Sequence, residues 1–430
     1  MKINVKESTI VRPAHDTPET SLWVSNLDLL VPTDHVYTVY FYKANGSSSS
    51  FDVQVLKEAL SKVLVPFYPV AGRLGRDENG RIQIECNGEG VLLVEAETTS
   101  VIDDIGDFTP GLDMLQFVPK LERSDDITSC PLLLAQLTRF GCGGGCIGVG
   151  MHHTVVDATA AYQFINSWSD TARGFPLSVP PFIDRSPLVA RDPPRPTCHH
   201  VEYDPPPASN TSAPQRNHKA VAKILHITTD QLDALKTKFK RDDGTSKYTT
   251  YETLAAHTWR CMCKARELPE TQPTRLYIPT DGRSRLCPPL PPGFFGNVVF
   301  TTAITSISRE VESEPMESTV RRIHEALKRR DDEYLRSALD YLQLQPDLEA
   351  LKRGAQTFRC PNLNVVSWMR LPVYEANFGW GRPFFVGPAS VGFEGMGYLM
   401  PRPHKGEGVN FVLFLDPNQA EHFQKLFYEF

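Results

Sequence analysis

The residues best suited to chemistry stand together at His152-His153-Thr154-Val155-Val156-Asp157. An imidazole titrates near neutral pH, so a histidine is the natural proton acceptor there. His153 is therefore the candidate general base. Residues four apart are neighbours on a helix, so a helix containing both His153 and Asp157 would bring them to one face. The carboxylate would then orient the imidazole as a His–Asp dyad. If His153 lies just before the first helical turn, the side chains need not meet. Asp157 would then pair with a distant arginine and hold the loop. Both readings stand at this point, beside the plainer one of a polar strand end.

Other uses of these residue types fit poorly. Cys142 and Cys146 lie close to the two histidines, but the spacing has neither the CxxC nor the HExxH form of a zinc site. Adjacent histidines on a strand point different ways, so the cysteines read as small apolar residues, as do Cys261 and Cys263 on a helix. No GxSxG nucleophile elbow is present, and neither GxGxxG nor a Walker A loop occurs. A base without a nucleophile suits direct activation of a second substrate in a ternary complex.

The elements around these residues follow from periodicity. Residues 3–12 and 36–42 read as strands, the latter rich in aromatic and β-branched side chains. NGSSSS at 45–50 reads as a flexible loop. Residues 52–65 carry apolar positions at helical spacing until Pro66, and DENGR at 77–81 reads as a hairpin turn. Residues 131–140 and 146–151 are apolar enough for buried strands, joined by GCGGG. A helix is expected from about Val155 to Trp168, so the histidines sit between strand and helix on rigid backbone. Proline clusters at 193–196 and 205–207 mark a crossover, expected to pack on the surface. After it come a strand at 219–227, helices at 229–239 and 250–266, strands at 298–303, 363–371, 383–386, 394–399 and 409–416, and a final helix from Pro417. The expected division is one domain over 1–180, a crossover over 181–218 and a second domain over 219–430.

Composition bounds the class. The chain has 430 residues, 41% hydrophobic and 22% charged, enough for two globular domains. With 45 basic and 51 acidic residues and no dense Lys/Arg run, it has no nucleic-acid footprint. The first residues lack a secretory apolar stretch, and no run approaches the length of a membrane span. Nine cysteines, an odd number over a long chain, fit reduced thiols better than a disulfide framework. A cytoplasmic protein is expected, with sequon-like Asn45 and Asn210 unmodified.

Two further stretches complete the pattern. Residues 376–383, Ala-Asn-Phe-Gly-Trp-Gly-Arg-Pro, flank an indole with glycines and imply a tight backbone path. DGRSRLCPPLPPGFFGN at 281–297 combines arginines with a rigid Pro/Gly course. Together with HHTVVDA, these make the chain resemble the plant BAHD acyltransferases, especially the hydroxycinnamoyl-CoA transferases that form shikimate and quinate esters. HHTVVDA looks like their HHxxxDG motif, and NFGWG looks like DFGWG. SNLDLL at 25–30, LVPFYPVAGRL at 64–74, ECNGEG at 85–90, FINSWSD at 164–170 and HHVEYDPPP at 199–207 extend the likeness over essentially the whole chain.

The resemblance implies a two-domain α/β (α+β) chloramphenicol-acetyltransferase-like fold, with mixed sheets, flanking helices and a channel between the domains. It implies a monomer that uses acyl-CoA as co-substrate, with no metal and no permanently bound cofactor. His153 would be the base, with Asp157 structural, and Trp380 would shape the tunnel rather than donate to the oxyanion. Ser246, Lys247 and Thr250, before a helix, would meet the phosphates of CoA. Arg370 in SWMRLP would meet an acceptor carboxylate, and His35 and Tyr398 would line the same pocket. Ala158 replaces the motif glycine. Asn377 replaces an aspartate that the family pairs with an arginine matching Arg283, so that tie is expected to be weak and to alter stability. Val36 and Tyr37 stand where shikimate-using relatives carry Thr and Pro, which favours a changed acceptor. An ester of a small hydroxylated acid is expected first, an amide of tyramine, tryptamine or serotonin second, and an inactive binding protein of the same fold last.

Overall fold

Strands rich in β-branched and aromatic residues form two six-stranded mixed sheets, and a three-stranded sheet packs beside the first. The computed structural model describes residues 1–44, 46, 51–121, 126–209, 219–239, 246–404 and 406–429. Asn45, Asn210 and most of the 45–50 loop lie outside the described residues. The first sheet runs in the order Asn4–Val11, Val91–Thr98, Leu133–Phe140, Gly145–His152, His35–Tyr42 and Phe385–Pro388. The second runs Val299–Ile307, Pro273–Asp281, Leu363–Ser367, Met396–Pro401, Val409–Leu415 and Val221–Ile227.

The His35–Tyr42 strand lies inside its sheet, and this explains its sequence. Side chains alternate between faces, so Val39 and Phe41 enter one apolar cluster with Phe117 and Phe140. Tyr40 and Tyr42 enter another with Leu56, Phe164 and Trp168. In the neighbouring strand a Cβ on Gly148 would stand 1.9 Å from the Phe117 carbonyl oxygen, so only glycine admits that chain.

Two expected boundaries are corrected, and two helices are added. The helix expected from Val155 is Ala158–Ala172, because Asp157 is extended (φ −87°, ψ −179°) and caps it. The strand near 383–386 is Phe385–Pro388, and it pairs with His35–Tyr42 in the first sheet. The region 219–430 therefore lends one strand to the first sheet. Helices Met316–Lys328 and Asp332–Gln343 were not foreseen. The second carries its signal at Leu335, Ala338, Leu339 and Leu342, all buried and at helical spacing.

The described part of the crossover packs on the Asp332–Gln343 helix, as its length required. Asp340 is fully buried there and accepts from Arg191 N (2.8 Å), Arg191 Nε (2.6 Å) and Arg195 N (2.9 Å). Thr197 N donates to Ser337 Oγ at 2.8 Å. Removing the carboxylate strips the crossover of three charge-assisted bonds. Asp340→Ala is expected to lose roughly 3 kcal/mol in a urea melt and to be cut faster by trypsin after Arg191.

Candidate active site

The 145–152 strand delivers the histidines. His152 pairs directly with His35 across the sheet, so these two share a face and His153 turns to the other. His35 is pinned, with Nε2 at 2.8 Å from Pro131 O and its ring edge-on to His152 at 5.2 Å. Burial lowers the pKa of His35, and it pushes that of His152 down to about 3.

His153 begins a short irregular loop. Its N–H donates to Asp34 O at 2.9 Å, and its Nδ1 lies 3.2 Å from Val156 O. A carbonyl only accepts, so this contact assigns the ring proton to Nδ1 and leaves Nε2 with its lone pair. The residue as a whole is partly buried. Loss of hydration is the largest influence on it and lowers its pKa below 6.5, against smaller opposing effects of backbone groups, Asp157 and Asp28. At neutral pH His153 is an uncharged base.

Asp157 makes no hydrogen bond to that imidazole. Its carboxylate receives Arg283 Nη1 (2.7 Å) and Nη2 (2.9 Å), Val298 N (3.0 Å) and Ala160 N (3.0 Å). The helix starts too late to bring positions 153 and 157 to one face, so the dyad arrangement is not formed. Arg283 also donates to Asp281 Oδ1, Phe294 O and Gly296 O. The expected partnership of Arg283 with Asn377 is thereby corrected, since the guanidinium is spent on Asp157.

Asn377 instead closes its own turn, accepting from Gly379 N (2.9 Å) and Gly381 N (3.1 Å). Both glycines have positive φ, +100° and +94°, which explains the GWG spacing. The turn sets Trp380 against Phe51 (4.5 Å), Tyr42 (5.5 Å) and Phe378 (5.5 Å). Tyr42 is seven residues from His35 along one strand, about 23 Å at strand rise. Trp380 thus belongs to the far end of the sheet from His153.

The acceptor positions separate. Val36 pairs with Met151 and lies on the face of His153, with 43% of its surface exposed. Tyr37 pairs with Gly150 on the opposite face, beside His35. A Cβ at Gly150 would meet the Tyr37 ring at 2.7 Å, so the glycine makes room for it. Tyr37 is therefore not placed to stack on a molecule at His153. Arg370 is exposed just beyond the Leu363–Ser367 strand. Tyr398 packs on Trp368 (5.4 Å), which meets Tyr162 of the 158–172 helix (5.8 Å) and so joins the two sheets' layers.

Ser246, Lys247 and Thr250 gather at the start of the Thr250–Ala265 helix. Thr249 is its N-cap, and Glu252 Oε2 accepts from Thr249 N at 2.7 Å. Lys247 Nζ, exposed, reaches Glu317 at 2.7 Å, and Ser246 Oγ donates to Tyr248 O. Among the described residues no group of three or more His, Cys, Asp or Glu side chains forms a metal cage.

The Transferase family model matches residues 1–430. The chain belongs to this family, the BAHD acyltransferases. It is 52% identical to shikimate O-hydroxycinnamoyltransferase of Nicotiana tabacum over the whole of both chains. It is 47% identical to hydroxycinnamoyl-CoA:5-hydroxyanthranilate N-hydroxycinnamoyltransferase of Avena sativa over 99% of each. The crystal structure of vinorine synthase has the same fold, with a TM-score of 0.76 at 22% identity, covering 98% of this chain and 96% of that one. This BAHD protein is an acyl-CoA-dependent acyltransferase with a two-domain α/β fold, and acyl-CoA is its co-substrate.

Two motif departures of this acyltransferase now have a local account. Ala158 is the first residue of its helix and only partly buried, so its methyl is accommodated. Asn377 serves the turn and not an ion pair. An aspartate would accept the same two glycine N–H groups, so Asn377→Asp is expected to melt with the wild type. Asn377→Ala is expected to lose about 1–2 kcal/mol of stability, measured by thermal denaturation.

Proposed function

We propose that this acyltransferase moves a hydroxycinnamoyl group from its CoA thioester to a hydroxyl of a small hydroxylated acid of the shikimate or quinate kind. Full-length identity of 52% to the tobacco shikimate enzyme carries this reading. In a ternary complex, His153 Nε2 takes the hydroxyl proton as the oxygen attacks the thioester carbonyl carbon. The tetrahedral oxyanion collapses, the C–S bond breaks, and protonated His153 returns its proton to the departing CoA thiolate, which leaves as the thiol and restores the neutral base. Asp157 and Arg283 support the fold of the site, and Asn377 and Trp380 brace the far end of the His35–Tyr42 strand. The reading assigns the CoA phosphates to Ser246, Lys247 and Thr250, and the acceptor to Val36, Arg370 and Tyr398. His35 and Tyr37 back the strand from its other face. The same proposal takes the enzyme as a cytoplasmic monomer divided at 1–180, 181–218 and 219–430. Among the described residues no helix is long and apolar enough to cross a membrane.

Amide formation is the second reading. Val36, on the face of His153, lacks the hydroxyl donor of shikimate-using relatives, and the oat relative is an N-acyltransferase. Its acceptor, 5-hydroxyanthranilate, is an amine that also bears a carboxylate, so Arg370 suits either product.

CoA release from p-coumaroyl-CoA, followed with shikimate, quinate, tyramine and tryptamine in turn, separates the readings. Turnover is expected with the two acids, and faster turnover with either amine would replace the ester by the amide. The base must be unprotonated, and burial holds the His153 pKa below 6.5. The acid limb of kcat/KM is therefore expected below pH 6.5, with activity retained down to that pKa and lost as pH falls through it. A limb above pH 6.5 would contradict the buried neutral base.

A further inference from the structure

Residues 153–157 are neither strand nor helix, so the placement of His153 depends on what holds the carbonyls of this loop. Asn297 Nδ2 donates to His153 O at 2.9 Å, and Arg185 Nη2 donates to Val155 O at 2.8 Å. Both of these donors converge on one carboxylate. Asp28 Oδ1 accepts from Asn297 N (2.9 Å) and Nδ2 (2.8 Å). Asp28 Oδ2 accepts from Ser25 N and Oγ, both at 2.7 Å, and pairs with Arg185 Nη1 at 3.0 Å. The three side chains are 0–1% exposed. They come from the short Asn26–Leu29 helix, the crossover and the 281–297 loop.

The two amide hydrogens of Asn297 are thereby divided, one to Asp28 and one to the histidine's own carbonyl. A carboxylate so deep in the protein is tolerable only with its charge and lone pairs met. Arg185 meets the charge and, with its other nitrogen, grips the loop two residues on. We infer that Asp28 is a positioning residue for His153, acting through Asn297 and Arg185 to fix the loop that aims the imidazole. This rests on His153 as the base. Asp28 touches no reacting atom. Its effect falls on the orientation of Nε2, hence on the chemical step and not on substrate affinity.

The test uses the full-length enzyme with p-coumaroyl-CoA and whichever acceptor the substrate assay selects. Asn297→Ala keeps the Asp28–Arg185 pair and the backbone bond from residue 297 to Asp28, and removes the side-chain amide that joins His153 O to Asp28, while Asp28→Asn removes the charge that organises the cluster. Misplacing a reacting group by about 1 Å costs on the order of 100-fold in rate. For Asn297→Ala, kcat is expected to fall roughly 30- to 100-fold, with both KM values within about twofold of wild type. Asp28→Asn should fall at least as far, and if it fails to fold, the Asn297 variant alone decides the matter. Folding of each variant is checked by circular dichroism and a melt. A folded Asn297→Ala enzyme with unchanged kcat, or with KM rising while kcat holds, overturns the positioning role. His153→Ala serves as the control. Its loss of turnover beside an unaltered Asn297→Ala overturns the positioning role alone, whereas its retained turnover overturns the general-base reading itself.

Discussion

Asp157 is 2% exposed, and four donors converge on it: two nitrogens of Arg283 and the backbone N–H groups of Val298 and Ala160. A carboxylate has about four lone-pair sites, so its capacity is filled. The remaining geometry of the site depends on this pair. It caps the helix that follows the histidine, ties that helix to the 281–297 loop from the second half of the chain, and fixes where the irregular 153–157 loop must end. Because the carboxylate is fully used here, the imidazole is left to find Val156 O for its Nδ1, and Nε2 stays free.

The same device recurs. Three aspartates are buried among the described residues, Asp28, Asp157 and Asp340. Asp28 holds Arg185 and Asn297, Asp157 holds Arg283, and Asp340 holds Arg191 and the Arg195 backbone. Each joins segments more than a hundred residues apart. Desolvating a carboxylate is costly, and its partners repay little beyond that cost. The contribution of these pairs is therefore to register: only one docking of the crossover and the long loop satisfies all three charges.

Packing supplies the complementary constraint. The His35–Tyr42 strand is covered on both faces, so its residues are assigned to sides by alternation alone. That assignment puts Val36 beside Met151 on the face of His153 and sends Tyr37 to the other, over Gly150. Of the two unusual residues at 36–37, only the valine lies on the face of His153. Phe385–Pro388 pairs with this same strand, and Trp380 closes on Tyr42 at its far end, so the C-terminal half braces the strand that lies beside the His153 loop.

Much was legible without coordinates, because it rests on local patterns. The His35–Tyr42 strand follows from its β-branched and aromatic run, the Leu133–Phe140 and Gly145–His152 strands from their apolar character, the Val53–Val63 helix from its apolar spacing, and the glycines around Trp380 from their turn. The histidine pair at a strand exit marked the candidate site, and the motif set marked the family. Partner choice was not legible. Arg283 was assigned to Asn377 by likeness and belongs to Asp157; Asp28, Arg185 and Asn297 lay in noted segments without being read as one cluster. The sequence by itself determined which residues can ionise, turn or fill a core, since those are properties of side chain and neighbour. Only the tertiary structure decided which buried charge meets which, because the long-range docking of loops selects among several chemically equivalent partners.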